Sequence, residues 1–128
     1  MPELAFRDGV MDRIRLRESR YDEQAYLFVL AALEYSQSRL EARRHIHAAE
    51  LVLSCRALAL ERFGLMSRVV LERWGVRATS DLGEIVFTLV DLGFLVKQPN
   101  DTRDEFADLF DFEDAFERDY PWNSGHYA

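Results

Sequence analysis

Apolar residues recur along most of this chain at the three-and-four spacing of helices, and the breaks fall at glycine, proline and small polar residues. Phe6, Val10, Met11 and Ile14 predict an amphipathic helix over Phe6–Leu16. Asp22 has the chemistry of an N-cap, with Glu23 and Gln24 in the first turn, so a second helix should run from Glu23 to about Arg39. Within it, Ala25 to Leu33 is apolar on nearly every side, which predicts a buried central helix or one that also meets a second subunit. Leu40 to Ile46 is a connector. His47 stands where a capping box would place Ser or Thr, three residues before Glu50, and opens a helix over Ala48–Phe63 that Gly64 stops. A short helix from Leu65 to Trp74 closes at Gly75. Thr79 is expected to cap a helix from Ser80 to Leu92, with Leu82, Ile85, Val86, Leu89 and Leu92 as its core stripe and Gly93 as its stop.

Beyond Gly93 the pattern changes. Phe94-Leu95-Val96-Lys97 reads as a short strand, Pro99-Asn100-Asp101 as turn chemistry, and Phe106 to Phe112 as a returning strand interrupted by Asp108 and Asp111. Glu113 to Arg118 should add a helical turn. Three helices followed by a hairpin is the element order of a winged helix. The expected fold is therefore mainly α: a winged-helix-like core over residues 44–119, an N-terminal two-helix extension over residues 1–43, and a flexible tail over residues 120–128. One domain fits 128 residues, and a 48% apolar content suffices for a core without disulfide or metal staples.

Charge divides the chain. Residues 1–77 carry 13 basic and 11 acidic side chains, a balance of +2, whereas residues 78–128 carry 3 and 12, a balance of −9. Two readings fit the acidic third: a solvated face, or a docking surface for a basic partner. The single cysteine, Cys55, excludes an internal disulfide and lies on an apolar helical stripe, where a small buried hydrophobe is expected. Met1 to Arg20 lacks the apolar segment of a secretory signal, and the longest apolar run is about half a membrane span, so a cytoplasmic location without membrane contact is expected.

Charge also bears on what a winged helix would bind. The Ser80–Leu92 helix would be the one to enter a DNA groove, yet its face opposite the core stripe carries Asp81, Glu84, Thr88 and Asp91, and the expected wing adds Asp101, Asp104 and Glu105 against Lys97 and Arg103. Like charge disfavours DNA. The expected contact face for a protein partner is Asp81, Glu84, Phe87, Asp91, Asp104 and Glu105, with Phe87 either an aromatic anchor on that face or a side chain packed under the N-terminal helices. A nucleic-acid-binding alternative would have to use Arg13, Arg17, Arg20, Arg43 and Arg44. Homodimerisation through Ala25 to Leu33 is a further expectation.

Little else carries chemistry. His45 and His47 are a period-2 pair, but no second ligand pair has a fixed spacing; the expectation is an imperfect cap at His47, a packed His45, no metal site and no cofactor. No nucleophile elbow, phosphate loop or dinucleotide fingerprint occurs, and Asp108 to Glu117 lacks the turn glycine of a calcium loop. No enzyme activity is expected.

Arg44-His45, Ala57-Leu58-Ala59, Phe63-Gly64, Trp74-Gly75-Val76 and above all Asp81-Leu82-Gly83-Glu84-Ile85-Val86-Phe87 resemble an uncharacterised bacterial family associated with planctomycetes and verrucomicrobia. Asp111-Phe112, Ala115-Phe116 and Tyr21 to Leu33 extend the resemblance over most of the chain. That family carries no assigned activity, so it transfers no catalytic or binding residue, and this chain departs from it in placing His47 where the family has a small hydroxyl cap. The function expected from sequence is a non-catalytic protein-interaction or regulatory module with an acidic contact face.

Overall fold

The computed structural model describes residues 20–96, 98 and 101–118, and these form a mainly helical fold. The expected Phe6–Leu16 helix, with Arg13 and Arg17, lies outside the described residues, as do Lys97 and the 120–128 tail. Among the described residues four α-helices follow one another: α1 (Glu23–Ser38), α2 (Ala48–Phe63), α3 (Ser67–Arg73) and α4 (Thr79–Asp91). Asp22 caps α1 as expected, accepting from the Gln24 N–H at 2.8 Å. Gly64 ends α2 with φ 55°, a left-handed value that favours glycine.

α1 is the central helix. Tyr26, Val29 and Ala32 are fully enclosed, and Phe28 stacks into a cluster with Phe63 and Trp74, ring centroids 5.7–6.0 Å apart. Its start is fastened at two points. The Asp22 N–H donates to the Trp74 carbonyl at 3.0 Å, and the Tyr21 hydroxyl donates to Asp81 Oδ1 at 2.6 Å. Gly75 makes room for this contact: φ is +94°, and a Cβ there would meet the Arg20 carbonyl oxygen at 2.8 Å.

The cap of α4 differs from expectation. Thr79 is fully buried and already helical, and its Oγ1 accepts from the Leu109 N–H at 3.1 Å. Ala78 is the N-cap, and Asp81 caps from inside the helix, its Oδ2 accepting from the Arg77 and Ala78 N–H groups at 2.9 and 3.1 Å.

The expected hairpin does not form: no strand occurs among the described residues. Gly93 adopts φ 85°, and the chain folds back so that the Phe94 N–H donates to the Leu89 carbonyl at 2.9 Å. Phe94 and Leu95 thereby close the end of α4 as a helix terminus does, and the N–H that a strand would offer a partner is already bonded. Phe106 belongs to a 3₁₀ turn (Arg103–Phe106), Asp108 turns the chain with φ 52°, and Phe112 begins a helical segment that continues as a π-helical turn over Asp114–Arg118. The aromatic residues of this region do not alternate in and out. Phe106, Phe112 and Phe116 all point into the core and are almost completely buried. Their burial, not strand pairing, places the acidic segment on the helices.

Gly83 shows how close that docking is. A Cβ on Gly83 would lie 2.7 Å from Phe106 Cβ and 2.8 Å from its Cγ. Glycine inside a helix costs about 1 kcal/mol relative to alanine; here it lets the Arg103–Phe106 turn rest directly on α4.

Candidate functional site

The docked turn creates a groove. Its apolar floor is Leu33 of α1, Ile46 of the connector ahead of α2, Leu51 of α2, and Val86 and Val90 of α4, and Phe87 and Phe106 line it too. The polar end is Gln37, His45, Asp101 and Glu105. The cavity measures about 160 Å³, below the roughly 300–1,000 Å³ of pockets that enclose drug-sized ligands. It has room for a protruding side chain and not for a dinucleotide or a comparable cofactor.

Local structure sets up the polar end. Residues 43–47 have no regular secondary structure, and His47 at their end is extended, with φ −77° and ψ 158°. Ile46 is buried in the core, while the rings of His45 and His47 stand together, with centroids 5.5 Å apart and edge to face. Gln37 clamps this stretch from α1: its Nε2 donates to the Arg44 carbonyl and its Oε1 accepts from the Arg44 N–H at 3.3 Å. Glu50 clamps it from α2, accepting from the His47 N–H at 3.1 Å and from both terminal nitrogens of Arg44 at 2.9 and 2.7 Å. The imidazole of His47 makes no capping hydrogen bond. Asp101 arrives from the far end of the chain. Its Oδ2 accepts from the Gln98 N–H at 2.7 Å and lies 2.9 Å from His45 Nε2.

The Arg44 hydrogen bonds, followed by that from the His47 backbone, bring the Glu50 carboxyl from 4.5 down to about 2. The folded value lies below the unfolded one, so this contribution to stability is whole above about pH 4.5 and is lost as the pH falls towards 2. The pair is partly solvated, so the effect is modest. Urea midpoints at about pH 6 and about pH 3 should fall further for the wild type than for Glu50→Gln; equal falls would contradict the assignment.

The expected contact residues are redistributed. Asp81 is spent on capping α4 and binding Tyr21, so it does not belong to a contact face. Phe87 is 7% exposed and packs edge to face on Phe106, with the Arg103 guanidinium 4.9 Å from its ring centroid. It is no exposed anchor, and what covers it is the 103–106 turn. Glu84 pairs with Arg103 at 3.3 Å and with Arg20 at 3.9 Å. Asp91, Asp104 and Glu105 are exposed, and Glu105 also accepts from the Thr102 N–H at 2.7 Å. The basic candidates within the described residues face carboxylates: Arg20 meets Glu84, Arg43 meets Glu34 at 3.4 Å, and Arg44 meets Glu50.

Cys55 is enclosed as expected, and burial pushes its thiol up to about 12, which disfavours the thiolate. Sequence reasoning missed Gln37, the groove itself and the pairing of Asp101 with His45, because Asp101, expected only as a turn and wing residue, meets His45 through the tertiary fold. No helix among the described residues is long and apolar enough to cross a membrane. Comparison with family models, with curated proteins and with solved structures finds no match.

Proposed function

We propose that the protein is a non-catalytic interaction module that seats an apolar side chain of a basic partner protein in the groove between α1, α2 and α4. The observation carrying this reading is the groove itself: an apolar floor of side-chain size beside a strongly acidic segment. Residues 101–118 hold eight acidic side chains against Arg103 and Arg118, a balance of −6. A basic amphipathic helix offers both complements, an apolar anchor and a cationic flank. The same sign of charge counts against nucleic acid, and the pairing of Arg20, Arg43 and Arg44 with carboxylates adds to that.

For the fold, we read α2, α3 and α4 as the three helices of a winged-helix-like core in which the segment after α4, whose described residues form no strand, occupies the place of the wing. α1 buries much of its apolar surface inside the single chain, and this supports a module that meets a different protein over a homodimer.

A fluorescent peptide with one leucine face and one arginine face tests the reading. It should bind the full chain with an affinity that falls as salt rises. Val90→Trp, which fills the groove while leaving every charge in place, should weaken binding by about 10-fold or more, the effect of losing roughly 1.4 kcal/mol of anchor contact. Equal binding to wild type and Val90→Trp would reduce the interaction to bulk charge and refute the groove as the site.

A further inference from the structure

We propose that His45, His47 and Asp101 form a binding site for a divalent first-row transition ion, with Zn²⁺ the ion their chemistry suits best. One ligand atom from each of the three residues lies within 4.8 Å of the other two. Tetrahedral zinc with bonds of about 2.0–2.2 Å sets its ligands about 3.3 Å apart, so a small closing movement brings this triad to coordinating distance. Two imidazoles with one carboxylate favour zinc and its neighbours over calcium or magnesium, which take oxygen ligands. Three protein ligands leave a coordination position for water.

The contact between His45 and Asp101 supports a shared ion over a closed ion pair. Nε2 and Oδ2 are 2.9 Å apart, yet Nε2, buried from solvent, makes no aligned hydrogen bond. The two atoms approach each other without one donating along its N–H axis to the other, as ligands converging on a common point do. Each ligand is also held from behind. The Gln98 N–H fixes Asp101 Oδ2, Gln37 grips the Arg44 backbone next to His45, and Glu50 grips the His47 N–H. Outer partners of this kind fix ligand orientation. The cation next to His45 in sequence, Arg44, is engaged by Glu50 and donates to the His45 carbonyl at 2.9 Å, so its charge is compensated.

An ion here would tie the segment leading into the 3₁₀ turn to the connector ahead of α2, bracing the polar end of the groove. The site stands independently of the partner reading: zinc binding without peptide binding, or the reverse, separates the two.

The test is a titration of the metal-free full chain with zinc chloride against a competing chromophoric chelator, with magnesium and calcium as comparison ions. The expected result is one zinc per chain and no competition from the two hard ions. Affinity should fall in His45→Ala and in Asp101→Asn by more than about 10-fold, the loss expected even for an outer-shell partner. Asp108→Asn, which removes an exposed carboxylate outside the triad, should bind zinc like the wild type. The imidazole ring-proton resonances of wild-type His45 and His47 should shift together on zinc addition, and this readout holds even if a variant unfolds. Failure to bind zinc, unchanged affinity in folded triad variants, or ring signals of His45 and His47 that stay put would overturn the proposal.

Discussion

Phe116→Ala should destabilise the chain by about 3–5 kcal/mol, the usual cost of deleting a buried phenylalanine ring. Phe116 is 1% exposed. Its ring packs edge to face on Phe112 at 5.2 Å and on Phe110 at 6.1 Å. The π-helical turn that carries it is anchored to α3 by Arg68, whose guanidinium reaches Glu117 at 2.9 Å and Glu113 at 4.0 Å while also pairing with Glu72. A cavity at this position could not collapse without moving α3. The loss would be a large fraction of the roughly 5–15 kcal/mol available to a domain of ordinary stability. Charge alone leaves open whether residues 101–118 are a solvated tail or a packed part of the fold, and this substitution separates the two. If residues 101–118 were a solvated tail, truncating one of its aromatic residues would change stability by no more than about 0.5 kcal/mol. Urea unfolding of the two proteins decides between them.

Asp81→Ala should cost about 2–4 kcal/mol. Two losses combine. The Arg77 and Ala78 N–H groups lose the carboxylate that caps α4, worth about 0.5–2 kcal/mol. The Tyr21 hydroxyl, which burial and Asp81 together hold protonated well beyond the usual tyrosine range, loses its acceptor in a residue only 5% exposed, at about 1–3 kcal/mol. Tyr21→Phe removes the donor together with the demand for an acceptor, so it should cost less, about 1 kcal/mol. In the double variant the two effects should not add, because both report the same bond between α1 and α4. Denaturant midpoints for the four proteins check this. An Asp81→Ala cost within about 0.5 kcal/mol would return Asp81 to the exposed face on which its helical position alone would place it.

Local rules located most helix boundaries. Asp22 is a short acidic side chain before an apolar stretch, and it caps α1; Gly64 and Gly93 stop helices because their positive φ suits glycine. These signals act within a few residues, so they can be read from the chain. The cap of α4 was legible only in part. Thr79 has the chemistry of a cap, but Leu109 claims its hydroxyl, and Asp81 does the capping from three residues beyond Ala78.

The region after Gly93 was misread for a physical reason. A short apolar run looks the same whether it pairs as a strand or folds back onto the end of its own helix, and the choice rests on where the Phe94 N–H finds an acceptor. Phe106, Phe112 and Phe116 depend on non-local packing in the same way. Phe87 looked displaced from the core stripe because its covering residue, Phe106, comes from another part of the chain. The groove inherits this limit: His45 and His47 could be paired from their spacing, whereas Asp101 joins them only because the 101–106 segment lies on α4. Gly83 was visible in the sequence, but its role appears only when Phe106 is seen resting on it.

Both the groove and the triad thus depend on one contact, the seating of the Arg103–Phe106 turn on α4 at Gly83. A nuclear Overhauser spectrum of the full chain measures it directly. Cross-peaks are expected between the Phe106 ring protons and the Gly83 α-protons, with further cross-peaks from the Phe106 ring to that of Phe87. A Phe106 ring with averaged, coil-like shifts and no cross-peak to Gly83 would contradict it.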